Sequence, residues 1–173
     1  MRVSLSTEDS AQTPTPGNTL TAKPMDYEIR VEDAPPRQLA VARGGASRSE
    51  LSRTILKLLD KVWPVLRGQH VKTGHNVVVY SGGLAHIEAG VEVFGDFVDA
   101  GDVLHSQTPA GPVVTTAHWG EYSEMAGAYA ALARWCEANE RQQTGTSWEV
   151  YGDSADDPQQ RRTDIYLLLT RVT

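Results

Sequence analysis

The sequence predicts an α+β fold made of a duplicated strand-helix-strand-strand unit. The order of strand and helix patterns in about residues 26–100 recurs in about residues 101–173. Residues 73–80 align with residues 144–151 so that a Gly and a Tyr match in each copy. The distance from Gly45 to Thr73 exceeds that from Gly120 to Thr144 by four residues, which is about one helical turn. Two copies related by a pseudo-twofold axis predict a ligand groove along their junction.

Composition limits the class of protein. The chain has 173 residues, of which 40% are hydrophobic and 22% charged, and this suffices for one domain with a sizeable core. A net charge of −6 argues against direct binding to nucleic acid, which needs a clustered cationic surface. No apolar run approaches the roughly 20 residues that cross a bilayer. Cys136 is the only cysteine and the N-terminus has no apolar signal, so we expect a cytoplasmic protein without disulfides.

The first unit begins after a polar segment. Residues 1–25 are rich in Ser, Thr and Pro and lack periodicity, which predicts a flexible tail before a domain at 26–173. Alternating polarity predicts strands over 27–31 and 38–43, separated by Pro35 and Pro36. Ser47 and Glu50 have the spacing of a capping box and predict a helix start.

Apolar residues at spacings of three and four then continue that helix, with Pro64 expected to kink or shorten its last turn. Strands follow over 76–80 and about 87–94. In the second unit the patterns predict a strand over 112–118, a helix over about 122–138 and strands over 147–151 and 163–170.

Four short motifs in register carry a family resemblance. They are Thr-Pro-Ala-Gly at 108–111, His-Trp-Gly-Glu-Tyr at 118–122, Trp-Glu-Val-Tyr at 148–151 and Arg-Thr-Asp-Ile-Tyr at 162–166. Together they resemble the GyrI-like small-molecule-binding family, which also supplies the effector-binding domains of bacterial AraC-type and MerR-type multidrug regulators. The resemblance covers about residues 26–172. It implies an antiparallel sheet with two helices and an aromatic-lined groove with a carboxylate at its centre.

The sequence departs from this family in two ways. The 25 residues before Asp26 are too short and too polar for a DNA-binding domain, so we expect a stand-alone member without direct nucleic-acid contact. Trp119 stands where many relatives carry a smaller or more polar residue, which predicts a different groove shape.

Glu149 is the leading candidate for chemistry. A carboxylate facing a groove pairs with a cationic ligand or, if burial raises its pKa, holds and transfers a proton. The resemblance places it at the family's central acid; the alternative is a solvated strand face. Tyr151 lies two residues on and shares its face, where the hydroxyl either orients the carboxylate and touches ligand or simply ends in solvent.

Aromatic residues and one histidine complete the candidate ligand-binding set. Trp119, Tyr122 and Trp63 suit stacking and cation–π contacts, although aromatics at helical spacing also serve as core. His118, at a strand end, either contacts ligand or is a hydrogen-bonded structural histidine. The remaining histidines lack partners at metal-ligand spacing, so we expect neither a metal nor a cofactor.

These observations leave three functions open. The first is a module that binds hydrophobic or aromatic, often cationic, small molecules for sequestration, sensing or drug resistance. The second, implied by the resemblance, is a hydrolase that opens cyclopropane-bearing alkylating compounds, with Glu149 as general base and Tyr151 or Tyr122 stabilising the oxyanion. The third is inhibition of DNA gyrase, for which a charge of −6 is modest.

Overall fold

The protein is one curved antiparallel sheet that carries two helices. A computed structural model describes residues 26–172, so the predicted tail lies outside the described residues. The helices are α1 (Leu51–Gly68) and α2 (Ala126–Ala138). The strands are β1 (Arg30–Ala34), β2 (Gln38–Gly44), β3 (Thr73–Ser81), β4 (Ile87–Val93), β5 (Leu104–Gln107), β6 (Gly111–Trp119), β7 (Gln143–Tyr151) and β8 (Arg162–Leu169).

The strand order confirms the α+β prediction and the duplication. The eight strands run β1-β6-β8-β7-β3-β4-β2-β5, which is symmetric about the pair β7 and β3. Each unit carries a further strand in front of its strand-helix-strand-strand elements; the sequence predicts this strand in the first unit, over 27–31, but not in the second. That strand is exchanged, because β1 of the first unit pairs with β6 and β5 of the second unit pairs with β2. The exchange ties the two copies into one sheet.

Both helices pack on the same face of the sheet, here called the helix face. Helix α1 covers β2 and β4, and α2 covers β6 and β8. The apolar stripe predicted for α1 is confirmed, since Leu58, Val62 and Leu66 are buried there. The two central strands, β3 and β7, remain between the helices and form the floor of a seam.

The opposite face, here called the inner face, is buried by curling of the sheet. In a flat sheet β1 and β2 would lie six strand spacings apart, about 29 Å. Only residues 35–37 join them, and so short a link spans at most about 15 Å. The sheet therefore curls until its ends approach. Val77, Val79 and Trp148 of the central strands then pack with Ala34 and Leu39 from the two ends.

Three local predictions were wrong in detail. The Ser47 hydroxyl bonds the Glu50 carboxylate at 2.7 Å and neither side chain caps an amide, because the chain starts with a 3-10 turn over Arg48–Glu50. Of the two effects expected of Pro64, shortening of α1 does not occur, because the helix continues to Gly68. The first strand starts at Arg30, since Tyr27 and Ile29 instead pack against the core beneath α2.

Within the described residues, neither helix has the length and apolar character needed to span a bilayer.

Candidate functional site

The pseudo-twofold axis of the sheet passes through one residue pair. Val78 of β3 lies directly opposite Glu149 of β7. The same two positions correspond in the aligned segments 73–80 and 144–151. The flanking pairs, Asn76 with Tyr151 and Tyr80 with Ser147, are related in the same way. Glu149 therefore lies on the axis, between the two helices, and its counterpart is apolar.

Three tyrosine hydroxyls surround the Glu149 carboxylate. The Tyr129 hydroxyl of α2 donates to Oε1 at 2.5 Å, and that of Tyr80 donates to Oε2 at 3.2 Å. Tyr151, two residues along β7, also donates to Oε2. The side chain is deeply buried, with Glu149 5% exposed. Three donors aimed at one carboxyl suit its ionised form, which only accepts hydrogen bonds.

Burial and hydrogen bonding act on this carboxyl in opposite directions. Desolvation raises the pKa of Glu149 above its ordinary value of 4.5, while the hydrogen bonds from Tyr129, Tyr151 and Tyr80 partly offset that rise. The pKa of each of these tyrosines is raised, mainly by burial and to a smaller extent by the negative charge of Glu149. The phenols therefore remain protonated donors, and Glu149 is the group that titrates.

A cleft of about 490 Å³, here called the seam cleft, opens beside this cluster on the helix face. Tyr151 joins the two features, because its ring lines the cleft while its hydroxyl reaches Glu149. Leu56 and Tyr122 line the cleft and are 62% and 51% exposed, so its mouth is apolar and open. The full lining is Ser52, Ile55, Leu56, Leu59, Trp63, Gly74, His75, Asn76, Tyr122, Tyr151, Gly152, Asp153 and Ser154.

The structure brings four of the six sequence-predicted residues together. Trp63 and Tyr122 face the seam cleft, and the Tyr122 ring meets that of Tyr151 edge to face at 5.4 Å. The Trp63 indole donates to Asn76 Oδ1 at 3.1 Å, which fixes the ring against the strand floor. Glu149 lies behind Tyr151. The arrangement is an aromatic wall in front of a buried acid.

Trp119 and His118 do not line this cleft. Trp119 shares its strand face with Val113, which belongs to the inner-face core, so it lies on the other side of the sheet. His118 is fully buried; its Nδ1 pairs with the Tyr27 hydroxyl and its Nε2 with the backbone oxygen of Glu121, both at 3.0 Å. Both ring nitrogens are thus engaged, as the structural alternative predicts.

Tyr27→Phe tests that structural role. Loss of the hydroxyl leaves a buried His118 nitrogen without its partner, and we expect the free energy of unfolding to fall by about 1–2 kcal/mol. Ligand affinity in the seam cleft should not change, because neither residue lines it. Chemical denaturation checks the first expectation and ligand titration the second. A weaker affinity with unchanged stability would contradict the structural role.

Sequence reasoning missed two members of the tyrosine cluster. Tyr80 was detectable, because the duplication aligns it with Tyr151 across the axis. Tyr129 lies on the apolar stripe of α2, where spacing indicates only a core position. No signal along the chain indicates that its hydroxyl reaches a strand residue twenty positions away.

Among residues 26–172, no group of three or more His, Cys, Asp or Glu side chains has the arrangement of a metal site.

Comparisons with known proteins identify the fold. No protein-family model and no curated protein sequence matches the chain. Solved structures do match. The C-terminal domain of EcmrR superposes with a TM-score of 0.67 at 21% identity, over 86% of this chain and all of that one. A hydrolase from Listeria innocua gives 0.57 at 13% identity, over 83% and 92% of the two chains.

A third match carries a ligand. SAV2435 bound to tetraphenylphosphonium superposes with a TM-score of 0.51 at 9% identity, over 84% of this chain and 94% of that one. The chain has the GyrI-like fold. The sequence resemblance to that family is thereby confirmed at the level of the fold. This GyrI-like domain spans 58% of the EcmrR chain in its complex with DNA.

Proposed function

We propose that the protein is a GyrI-like binding module that takes up hydrophobic organic cations in the seam cleft. The observation that carries the proposal is a buried carboxyl held by three phenols behind an open aromatic cleft. Ionising Glu149 costs desolvation energy that the tyrosines only partly recover. A cation in the cleft recovers more of it through electrostatic attraction.

The cleft walls suit such a ligand. Trp63 and Tyr122 offer ring faces for stacking and cation–π contacts, and Ile55, Leu56 and Leu59 offer apolar surface. A cation that contacts the Tyr151 ring is separated from the Glu149 carboxylate by about the width of that ring. At roughly 7 Å and an effective dielectric of about 20, the attraction is about 2 kcal/mol, or roughly 30-fold in affinity. Binding would serve sequestration, sensing or resistance to such compounds.

The direct test compares a cation with a neutral molecule of similar shape. Tetraphenylphosphonium, which the structure of SAV2435 contains, is the cationic probe, and triphenylphosphine oxide is the neutral one. We expect the cation to bind roughly 30-fold more tightly by isothermal titration calorimetry. Equal affinities would refute the role assigned to Glu149, and no binding of either would refute the cleft as a site.

Cation affinity should fall on acidification. Because the pKa of Glu149 is raised in the folded protein, lowering the pH protonates it before an ordinary glutamate and removes the charge that attracts the ligand. Binding of a cation in turn lowers that pKa, so uptake releases protons in the acidic range. Calorimetry in buffers of different ionisation enthalpy measures this release. A proton count of zero at every pH, with constant affinity, would show that Glu149 is not coupled to the ligand.

A second candidate function is hydrolysis of cyclopropane-bearing alkylating compounds. It is favoured by Tyr151, whose hydroxyl contacts Glu149 while its ring lines the cleft, as a proton relay to a bound substrate requires. Glu149 would deprotonate a water that attacks the strained ring, and a tyrosine would donate to the carbonyl oxygen on which charge develops. This function is supported if each protein molecule opens many equivalents of the compound and Tyr151→Phe does not. It is excluded if consumption of the compound stops at one equivalent per protein.

A further inference from the structure

A second cleft lies on the inner face, around the displaced Trp119. It encloses about 420 Å³ and is here called the inner cleft. Its lining is His75, Trp119, Val150, Gly152, Asp153, Gln160, Arg162 and Asp164. Val150 and Asp164 pair directly across β7 and β8 and form its floor. The floor of the inner cleft thus lies on β7 and β8, on the face opposite the seam cleft, and only β7 is also part of the seam floor.

Trp119 has the features of a ligand platform. The Arg162 guanidinium lies over the ring, 5.7 Å from its centroid, yet 48% of Trp119 remains exposed. Arg162 is itself held by Asp164, with Nε donating to Oδ1 at 2.9 Å. The indole lines the inner cleft, and Arg162 contacts its ring. Such a ring presents a flat stacking surface.

The two clefts meet at the end of β3 and β7. His75, Gly152 and Asp153 line both of them. His75 Nε2 lies 3.3 Å from Asp153 Oδ1, and the two side chains are 45% and 99% exposed. At Gly152 a side chain would begin 3.0 Å from the backbone oxygen of Arg162. Glycine here lets the chain pass close to the backbone of β8 at the point where the two clefts meet.

The charges of the inner cleft define the ligand class. Arg162 and Asp164 neutralise each other as an ion pair. Asp153 lies beside the partly exposed His75, and the two carboxylates of the lining, Asp153 and Asp164, exceed its one guanidinium, Arg162, by one negative charge. Stacking on an indole selects flat rings, and a net negative lining favours positive charge and disfavours carboxylates.

We propose that the inner cleft is a second ligand site, which binds flat aromatic cations by stacking on Trp119 and pairing with Asp153. It does not use Glu149, although it shares Asp153 with the seam cleft. The protein then holds two aromatic cations per chain, one on each side of the central strands. A bulky tetrahedral cation such as tetraphenylphosphonium cannot stack flat on an indole and would occupy the seam cleft alone.

The test counts sites with proflavine, a flat fluorescent cation. We expect two molecules per chain in the wild-type protein and one in Trp119→Ala, with the affinity for tetraphenylphosphonium unchanged. Phe94→Ala is the matched control, because Phe94 is also an exposed aromatic (57%) beneath a cation, Lys72, but lines neither cleft. It should still bind two. Asp153→Asn should weaken the Trp119-dependent site by about two- to fivefold, because the Asp153 carboxylate is 99% exposed and exposed ion pairs are weak.

The outcomes separate this inference from the proposed function. The second site would be overturned if Trp119→Ala still bound two proflavine molecules per chain. It would also be overturned if the wild-type protein bound only one and excess tetraphenylphosphonium displaced it fully. If Trp119→Ala loses one bound molecule, the inner cleft is supported. If Glu149→Gln then leaves the affinity for the remaining molecule unchanged, the role of Glu149 in the seam cleft is refuted. Circular dichroism of each variant confirms that it is folded.

Discussion

Glu149→Gln is expected to remove the preference for cations and to stabilise the fold at the same time. The amide keeps the size of the side chain but carries no charge, so the affinity for tetraphenylphosphonium should fall roughly 30-fold. The neutral triphenylphosphine oxide should bind as before. Calorimetric titration of both compounds measures the two effects, and equal losses for both would indicate a damaged cleft instead of a lost charge.

The gain in stability follows from linkage. The folded-state pKa of Glu149 is raised, so its carboxyl favours folding below the unfolded value near 4.5 and this contribution is lost as the pH rises through the folded value. Wherever the side chain is ionised, it therefore lowers the stability of the fold. We expect the free energy of unfolding of the variant to exceed that of the wild type at neutral pH, with the difference narrowing as the pH falls.

Glu137→Gln is the matched control for that experiment. It makes the same change in net charge at Glu137, an exposed residue of α2, and so removes a solvated carboxylate instead of a buried one. Its stability and its affinity for both compounds should equal those of the wild type. If Glu149→Gln were less stable than the wild type at neutral pH, the three tyrosine hydrogen bonds would outweigh the desolvation of the carboxylate.

The duplication is the part of the fold that the sequence reveals best, for a physical reason. Matched Gly and Tyr residues in 73–80 and 144–151 occupy the two central strands, where each residue has a symmetry mate. The same alignment matches Glu149 with an apolar residue, Val78, and the structure places the two directly opposite each other. Strand face, which alternates along the chain, also links Glu149 with Tyr151 correctly.

What the sequence does not predict depends on contacts between distant segments. Curling of the sheet is imposed by the short link 35–37 combined with strand order, and strand order is not a local property. The inner face therefore goes unrecognised, and Trp119 is predicted beside Glu149 although it lies on the reverse side. Tyr129 belongs to the same class, since only the packing of α2 on the sheet brings its hydroxyl to the acid.

Val78→Glu is expected to destabilise the fold strongly, because it would place a second acid opposite Glu149 on the pseudo-twofold axis. Val78 is fully buried and directly opposes Glu149. Opposing side chains in a sheet start about 5 Å apart, so two carboxylates there would repel by roughly 3 kcal/mol in addition to the cost of burying the new one. We expect the free energy of unfolding at neutral pH to fall by more than about 3 kcal/mol.

Val78→Gln separates charge from size in this experiment. It introduces a side chain of the same length without a charge, so its cost should not depend on the pH in the range where carboxyls titrate. With Val78→Glu the paired acids raise each other's pKa, and stability should return as the pH falls through that raised value. Denaturation curves of both variants across that range give the comparison; parallel curves would mean that the two side chains do not face each other. Valine at position 78 therefore leaves a single carboxyl on the axis, with no second acid opposite it to raise its pKa further.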